Sequence, residues 1–467
     1  MDTPSARVGE PINTASVGAV LVLVCYIGSQ FVDVTLTSVG GFVFSVQKLV
    51  AIAILPLGAL MMRKLRFSGG LAAFSLTAVV AFGVGPVLGG HDSTALGGAL
   101  TALVLNFAAG LVVYSALLDC PRPVHLVGRI WIAASLLTAI IAIGQTFSLL
   151  PLFTVPEDDL GRRATTAGLQ RATGLKADPN FAAMILIIGL VFARLMTSRA
   201  WRRVVSLLMV VGIFSTLSRM GVLVAAIIIL VSSGRGRSVN RHTIQGLFVQ
   251  VGVAVSLCLV GFVGVQTLSG PVRAYVDTRL SDLGDGIAQL VSADSSLGGT
   301  EGSAVERADL FQGTVAVLKD NLAVGVGPGN LPGILDEMIG VNKGAHNTYL
   351  ESLAIGGAFG AFALAVYIGL LRKGLRKAAR VAAMVDEFEA VFCVRMLCLS
   401  VGLMAFVLTL DYNAFLWLPI TIACGLGDAG PSAHIAVGVA VPRVVLPAGG
   451  AIAGSEVAAP LGVGGRG

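Results

Sequence analysis

The run His346-Asn347-Thr348-Tyr349-Leu350-Glu351 sets an imidazole, an amide and a phenol at the opening of an apolar stretch. Thr348 and Glu351 fit a capping box, in which hydroxyl and carboxylate satisfy free backbone N–H groups, so a helix is expected to begin there. His346 then precedes a helix N-terminus, whose positive dipole end favours a neutral imidazole and attracts anions such as phosphate. A neutral histidine beside an anion site suits a general base or a phosphate ligand. The plainer alternative is a hydrogen bond at a membrane interface. Cations for an anion are available at Arg171, Arg219, Arg273, Arg279 and Arg307, and guanidinium groups bind phosphate oxygens in bidentate fashion. Arg219 stands out because a charge near membrane depth is costly and usually functional, against snorkelling to the headgroups. For Arg307 the alternative is an exposed charge beside Glu306 and Asp309 on a solvated helix.

The elements that must position these residues are apolar. The chain has 467 residues, 55% of them hydrophobic and only 12% charged, with mean hydropathy +0.87. A globular domain carries about 25% charged residues, so an ordinary soluble enzyme is excluded and an all-α polytopic membrane protein is expected. The net charge of +6 sits in short clusters between apolar runs, which argues against nucleic acid as a partner. Of six cysteines, Cys25, Cys258, Cys393, Cys398 and Cys424 lie within apolar stretches as small hydrophobes, with no disulfide framework implied. The first apolar run is expected to be a retained helix and not a signal peptide.

Windows of about 20 residues mark about twelve candidate transmembrane helices. They lie near 16–34, 42–62, 69–87, 96–118, 130–150, 180–197, 204–217, 220–233, 243–266, 348–371, 390–410 and 413–427. Arg63, Lys64 and Arg66, then Arg199, Arg202 and Arg203, then Arg372, Lys373, Arg376, Lys377 and Arg380 fall on one side by helix counting. The positive-inside rule makes that side cytoplasmic, with both termini there. The organisation expected is helices one to nine over 1–266, a long outer loop over 267–347, helices ten to twelve over 348–427 and a disordered cytoplasmic tail over 428–467. Within the loop, Phe311, Val315 and Leu318 recur at helical spacing, predicting an amphipathic helix over 306–320 on the membrane's outer face.

Other motifs have plainer readings. Asp178-Pro179-Asn180 reads as an N-cap with proline at the first helical position. Gly356 and Gly360 form a Gly-x-x-x-Gly step that lets membrane helices approach closely. Gly325-Val326-Gly327-Pro328-Gly329-Asn330 lacks the third glycine of a dinucleotide fingerprint and opens no clear helix, and a Walker motif is absent. His91 and His346 lie in distant loops without metal-ligand spacing, so neither a catalytic metal nor another cofactor is expected.

His346-Asn347, nine residues, then Gly357-Ala358-Phe359-Gly360 resembles the signature of the O-antigen ligase and polysaccharide polymerase superfamily: His followed by Asn, Ser or Gln, nine residues, then Gly-x-x-Gly/Thr/Tyr. The Gly325 to Asn330 run resembles the glycine-rich turn before that histidine. Ser218-Arg219 and Arg307 are similar to the superfamily's basic positions, and the likeness covers most of residues 16–427.

The resemblance implies a GT-C-like, metal-independent, inverting glycosyltransferase at the periplasmic face of a bacterial inner membrane. Its donor would be a glycan on undecaprenyl diphosphate and its acceptor another glycan or lipid A-core. In that reading His346, Arg219 and Arg307 are catalytic, while Arg171, Arg273, Arg279, Asn347, Tyr349 and Asn330 contact the diphosphate or glycan. Asp178-Pro179-Asn180 resembles a step of polymerase-like members and inclines the reading toward a polymerase over a ligase. A transporter or flippase for lipid-linked sugar is the alternative, although the two halves do not match as transporter repeats commonly do.

Overall fold

The computed structural model describes residues 14–32, 34–39, 42–61, 65–93, 95–120, 122–152, 171–233, 303–385, 388–406, 408 and 414–429. Helices α1 (Thr14–Ser29), α2 (Val46–Met61), α3 (Gly69–Leu88), α4 (Leu96–Asp119), α5 (Pro123–Thr146) and α6 (Pro179–Phe192) come first. They are followed by α7 (Arg199–Ser215), α8 (Arg219–Ser233), α9 (Ser303–Asp320), α10 (Asn330–Ile339), α11 (Thr348–Val385), α12 (Phe388–Met404) and α13 (Ala414–Asp428). Eleven of the expected spans coincide with helices among the described residues. The 243–266 span, most of the tail and residues 267–302 of the long loop lie outside them.

Among the described residues four helices, Gly69–Leu88, Leu96–Asp119, Pro123–Thr146 and Thr348–Val381, are long and apolar enough to cross a membrane, and five shorter apolar helices accompany them. Another helix also turns an apolar face outward. On α7, Trp201, Val204, Leu207, Val211 and Phe214 recur every three or four residues and are all exposed, an apolar stripe that a soluble protein would bury.

Several boundaries differ from the hydropathy windows because local chemistry overrides a sliding average. Pro123 at the first helical position starts α5 before the window's edge. Ser198, whose Oγ accepts the Trp201 N–H, likewise starts α7 early. The all-helical expectation gains one exception: Thr35–Val39 (β1) pairs antiparallel with Phe42–Ser45 (β2), a small hairpin where a loop and a helix start were expected.

Polar pairs fix the ends of the bundle. At one end Arg66 meets Asp119 at 3.0 Å, joining the start of α3 to the end of α4. There too Lys377 meets Asp428 at 2.7 Å and Arg194 meets Glu389 at 3.4 Å. Burial pushes the thiol of Cys120, just past α4, up to about 11, so it stays protonated as a small apolar group. The opposite end carries the start of α11, the α7–α8 turn and the described part of the long loop.

That part of the loop has its own core. Leu310 and Val317 of α9, Val326, Leu331 and Leu335 of α10, Ala345, and Leu350 and Ala354 of α11 form one buried cluster. The amphipathic helix exists as α9. Leu310, Thr314 and Val317 turn inward, Val315 and Leu318 pack on the same cluster, and Phe311 is 49% exposed.

Candidate functional site

His346 has a left-handed backbone, φ +48°, directly before α11. That conformation is uncommon for a residue with a side chain and tends to be retained where function requires it. The cap differs from the expected box. Asn347 is the N-cap, its Oδ1 accepting the N–H groups of Tyr349 and Leu350, both at 3.1 Å. Thr348 is turned instead to the end of α12: its N–H donates to Ala405 O at 2.8 Å and its hydroxyl donates to Leu408 O. Glu351 is buried, and a Cβ on Gly344 would stand 2.9 Å from its carboxylate oxygens. The carboxylate thus lies under the turn that presents His346. Tyr349 donates its hydroxyl to Gly402 O at 2.8 Å and packs on Phe406.

Nine residues into α11, at Gly357, the helix breaks. Gly357 has φ +54° and ψ −134°, a region only glycine enters freely. At the break the carbonyls of Ala354 and Ile355 accept the N–H groups of Val326 and Gly327, each at 2.9 Å. The Gly325 to Asn330 turn is therefore hydrogen-bonded into the broken helix. Gly325 at φ +71° has no room for a side chain, since its Cβ would meet Ile355 O at 2.2 Å. On the other side, Gly327 abuts Pro86 of α3. This corrects two expectations. Gly356 does pack closely on Ala81 of α3, but Gly360 sits against its own chain at Ser352, so the Gly-x-x-x-Gly step includes a kink as well as a helix contact. The glycine turn also does open a helix, α10, although its glycines face α3, α11 and Ala95 and leave no cradle for a nucleotide. The Asn330 side-chain N–H donors go to Asp92 O and Val326 O, which ties the turn to the α3–α4 loop. Beneath the break lies an apolar pocket walled by Phe74, Phe82, Ser352, Gly360, Tyr367 and Leu416.

A second group forms at the α7–α8 turn. Ser218 caps α8: its Oγ accepts the Gly221 N–H at 3.0 Å and donates to Asn180 Oδ1 at 2.7 Å. Arg219 is the first residue of α8, with its side chain outside the described residues. Asp178 caps α6 through the Asn180 N–H at 2.6 Å, with Pro179 at the first position, as the plainer reading expects. Arg171 Nε donates to Thr216 O at 3.3 Å, which brings Arg171 to the turn that leads into Arg219. Helix α12 packs on α6, α8 and α11, and so joins this group to the His346 group.

With both groups in place, the middle of the chain can be compared with known families. Residues 204–365 match the O-antigen ligase family model. The matched stretch, about a third of the chain, runs from α7 past Gly360 and supports the superfamily resemblance drawn from the motifs. It also supports, in general, a membrane function of O-antigen ligase or polymerase type. No curated protein matches the chain.

The matched stretch contains His346, Asn347, Tyr349, Asn330, Arg219 and Arg307, with Arg171 before it. Arg307 is half-buried on α9, one turn before Leu310, which shares a buried cluster with Ala345 and Leu350. Arg273 and Arg279 lie outside the described residues. Among the described residues no three His, Cys, Asp or Glu side chains group as metal ligands.

Sequence reasoning missed Gln145. At the end of α5 and fully buried, its Oε1 accepts the N–H groups of Thr173 and Gly174, and its Nε2 donates to Gly174 O and Pro151 O. One amide therefore holds the segment that carries Arg171. Only a lone polar residue late in an apolar window could have signalled it. Gln145→Leu is expected to cost roughly 2–4 kcal/mol, because it orphans two buried N–H groups. Thermal unfolding in detergent measures it, and an unchanged midpoint would refute the clamp.

Proposed function

We propose that the protein is a membrane glycosyltransferase that moves a glycan from undecaprenyl diphosphate onto an acceptor sugar at the periplasmic face of a bacterial inner membrane. It works there as a polysaccharide or O-antigen polymerase or as an O-antigen ligase. The carrying observation is the joining of the two motifs: the glycine turn hydrogen-bonds into the break of α11, and this fixes the turn that presents His346. In this reading the fold is GT-C-like with about twelve spans and cytoplasmic termini. His346 takes the proton of the acceptor hydroxyl as that oxygen attacks the anomeric carbon. The bond to the diphosphate breaks with inversion and without a metal. Arg219 and Arg307 hold the departing diphosphate, with Arg171, Arg273 and Arg279 around it, and Asn347, Tyr349 and Asn330 shape the glycan side.

The lean toward a polymerase rests on Asp178-Pro179-Asn180, whose local work is to start α6 and hold Ser218, so the acceptor must decide. Reconstitution with undecaprenyl-diphosphate-linked repeats, with and without lipid A-core, separates the two. A product ladder without lipid A-core means polymerase, and transfer only onto lipid A-core means ligase. In either case Arg307→Ala is expected to lower transfer by at least about tenfold, with poor rescue by lysine, which lacks the bidentate fork. Flipping of the lipid-linked glycan without transfer would overturn the enzyme reading.

A further inference from the structure

His91 has no part in the chemistry proposed above, yet the chain is built to fold its ring back over the end of α3. Gly89 caps α3, and a Cβ there would stand 2.6 Å from Gly85 O and 2.9 Å from the His91 ring. Gly90 follows with φ +69°, a conformation that residues with side chains rarely adopt. The ring then meets Asn321, just past α9, with Nε2 3.2 Å from Oδ1. The amide fixes the direction of this bond. Asn321 Nδ2 donates to Val317 O at 3.0 Å, so Oδ1 is the acceptor and His91 Nε2–H the donor.

Asn321 in turn holds the glycine turn. Its carbonyl accepts the Gly325 N–H at 2.8 Å, and Gly325 opens the turn that docks into the break of α11. The far end of the same segment returns to the same loop, because Asn330 Nδ2 donates to Asp92 O at 2.8 Å. Neighbouring residues 91 and 92 therefore grip Asn321 and Asn330, on either side of the docked N–H groups of Val326 and Gly327. The end of α3 completes the socket: a Cβ on Gly85 would stand 2.6 Å from Gly327 N and 2.8 Å from Gly325 O.

We propose that His91 is a positioning residue for glycan transfer: by clasping Asn321 it keeps the glycine turn docked in the break of α11, and with it the register of α9 and of the turn that presents His346. It acts through the turn and not on the substrate. The clasp stands on the geometry alone, whereas its role in transfer rests on the glycosyltransferase reading.

Amide hydrogen exchange and transfer kinetics, both on the full chain in detergent, test it for wild type, His91→Ala, His91→Gln, Asn321→Ala and the double alanine variant. His91→Ala is expected to speed exchange in peptides covering residues 321–330 by about three- to tenfold, the effect of one lost hydrogen bond, with peptides of α4 and α5 unchanged. With undecaprenyl-diphosphate-linked repeats, kcat should fall by about the same factor while the donor KM stays within about twofold. His91→Gln should restore both, because its side-chain N–H can reach the same acceptor. The double variant should be no worse than the poorer single one, since the two side chains share one bond.

Exchange in 321–330 equal to that of wild type would overturn the clasp, whatever happens to transfer. Faster exchange throughout the protein, additive single variants or no rescue by glutamine would mean a general structural role and overturn it too. Faster exchange with unchanged kcat would overturn the positioning role. An inactive wild type would count against the glycosyltransferase reading and remove the role in transfer with it, while the exchange results would still decide the clasp.

Discussion

His346→Ala is expected to lower glycan transfer by at least about 100-fold, the usual scale for loss of a positioned general base, with little change in thermal stability. The side chain is half-buried beside a turn held by other residues: Asn347 caps α11 and Thr348 is bonded to the end of α12. Removing the imidazole leaves the Asn347 cap and the Thr348 bonds in place. A companion variant separates chemistry from conformation. His346 has φ +48°, a conformation asparagine adopts readily, so His346→Asn keeps the turn and has no base near neutral pH. Both variants should be inactive in single-turnover assays with saturating donor. If His346→Asn retains transfer while His346→Ala loses it, the residue shapes the turn and the base lies elsewhere.

The second large effect is expected at Gly325. Gly325→Ala forces a Cβ against the carbonyl of Ile355, at 2.2 Å, on a backbone with φ +71°. The left-handed cost and the overpacking together come to about 3 kcal/mol or more. The strain is relieved most easily by undocking the turn, which releases Ala354 and Ile355 and the α9–α10 unit with it. Transfer should be lost, and protease sensitivity should rise in residues 303–347. Gly333→Ala is the matched control: it lies in α10 with nothing within 4 Å of a new Cβ, so it should be neutral or stabilising by up to about 1 kcal/mol. Equal behaviour of the two variants would show that the docked turn is not what holds the site.

Much of this was legible in the sequence for reasons that can be named. A membrane helix must satisfy its own backbone and face lipid, so long apolar runs fix α3, α4, α5 and α11 with little ambiguity. His346 and the glycine run stood out because each breaks the local pattern. The break at Gly357 was hidden, because a glycine that packs and a glycine that bends leave the same letters, and only Val326 and Gly327 arriving from outside the helix tell them apart. The cap was assigned one residue late because Asn347 and Thr348 are both good caps, and tertiary bonds to Ala405 and Leu408 claimed the threonine. The partners of α9 were hidden because periodicity finds a stripe but not the surface that will cover it. Gln145 was invisible, since its importance lies in four partners spread over two other segments.

The hydrogen bonds at the break of α11 have a consequence for the order in which the protein is made. Ala354 lies about 9 Å into the helix at 1.5 Å per residue, and a carbonyl left bare at such depth is costly. A continuous helix would satisfy Ala354 and Ile355 internally, and the docked turn satisfies them from outside, so either form meets that demand while a bent helix without its turn does not. The segment can therefore enter the bilayer straight and bend only when residues 325–327 dock against it. A topology reporter fused after Val385 should read normal insertion in Gly325→Ala even where transfer is lost. Insertion and completion of the site then become separate events in biogenesis, and the second is driven by a turn that was synthesised before the helix it bends.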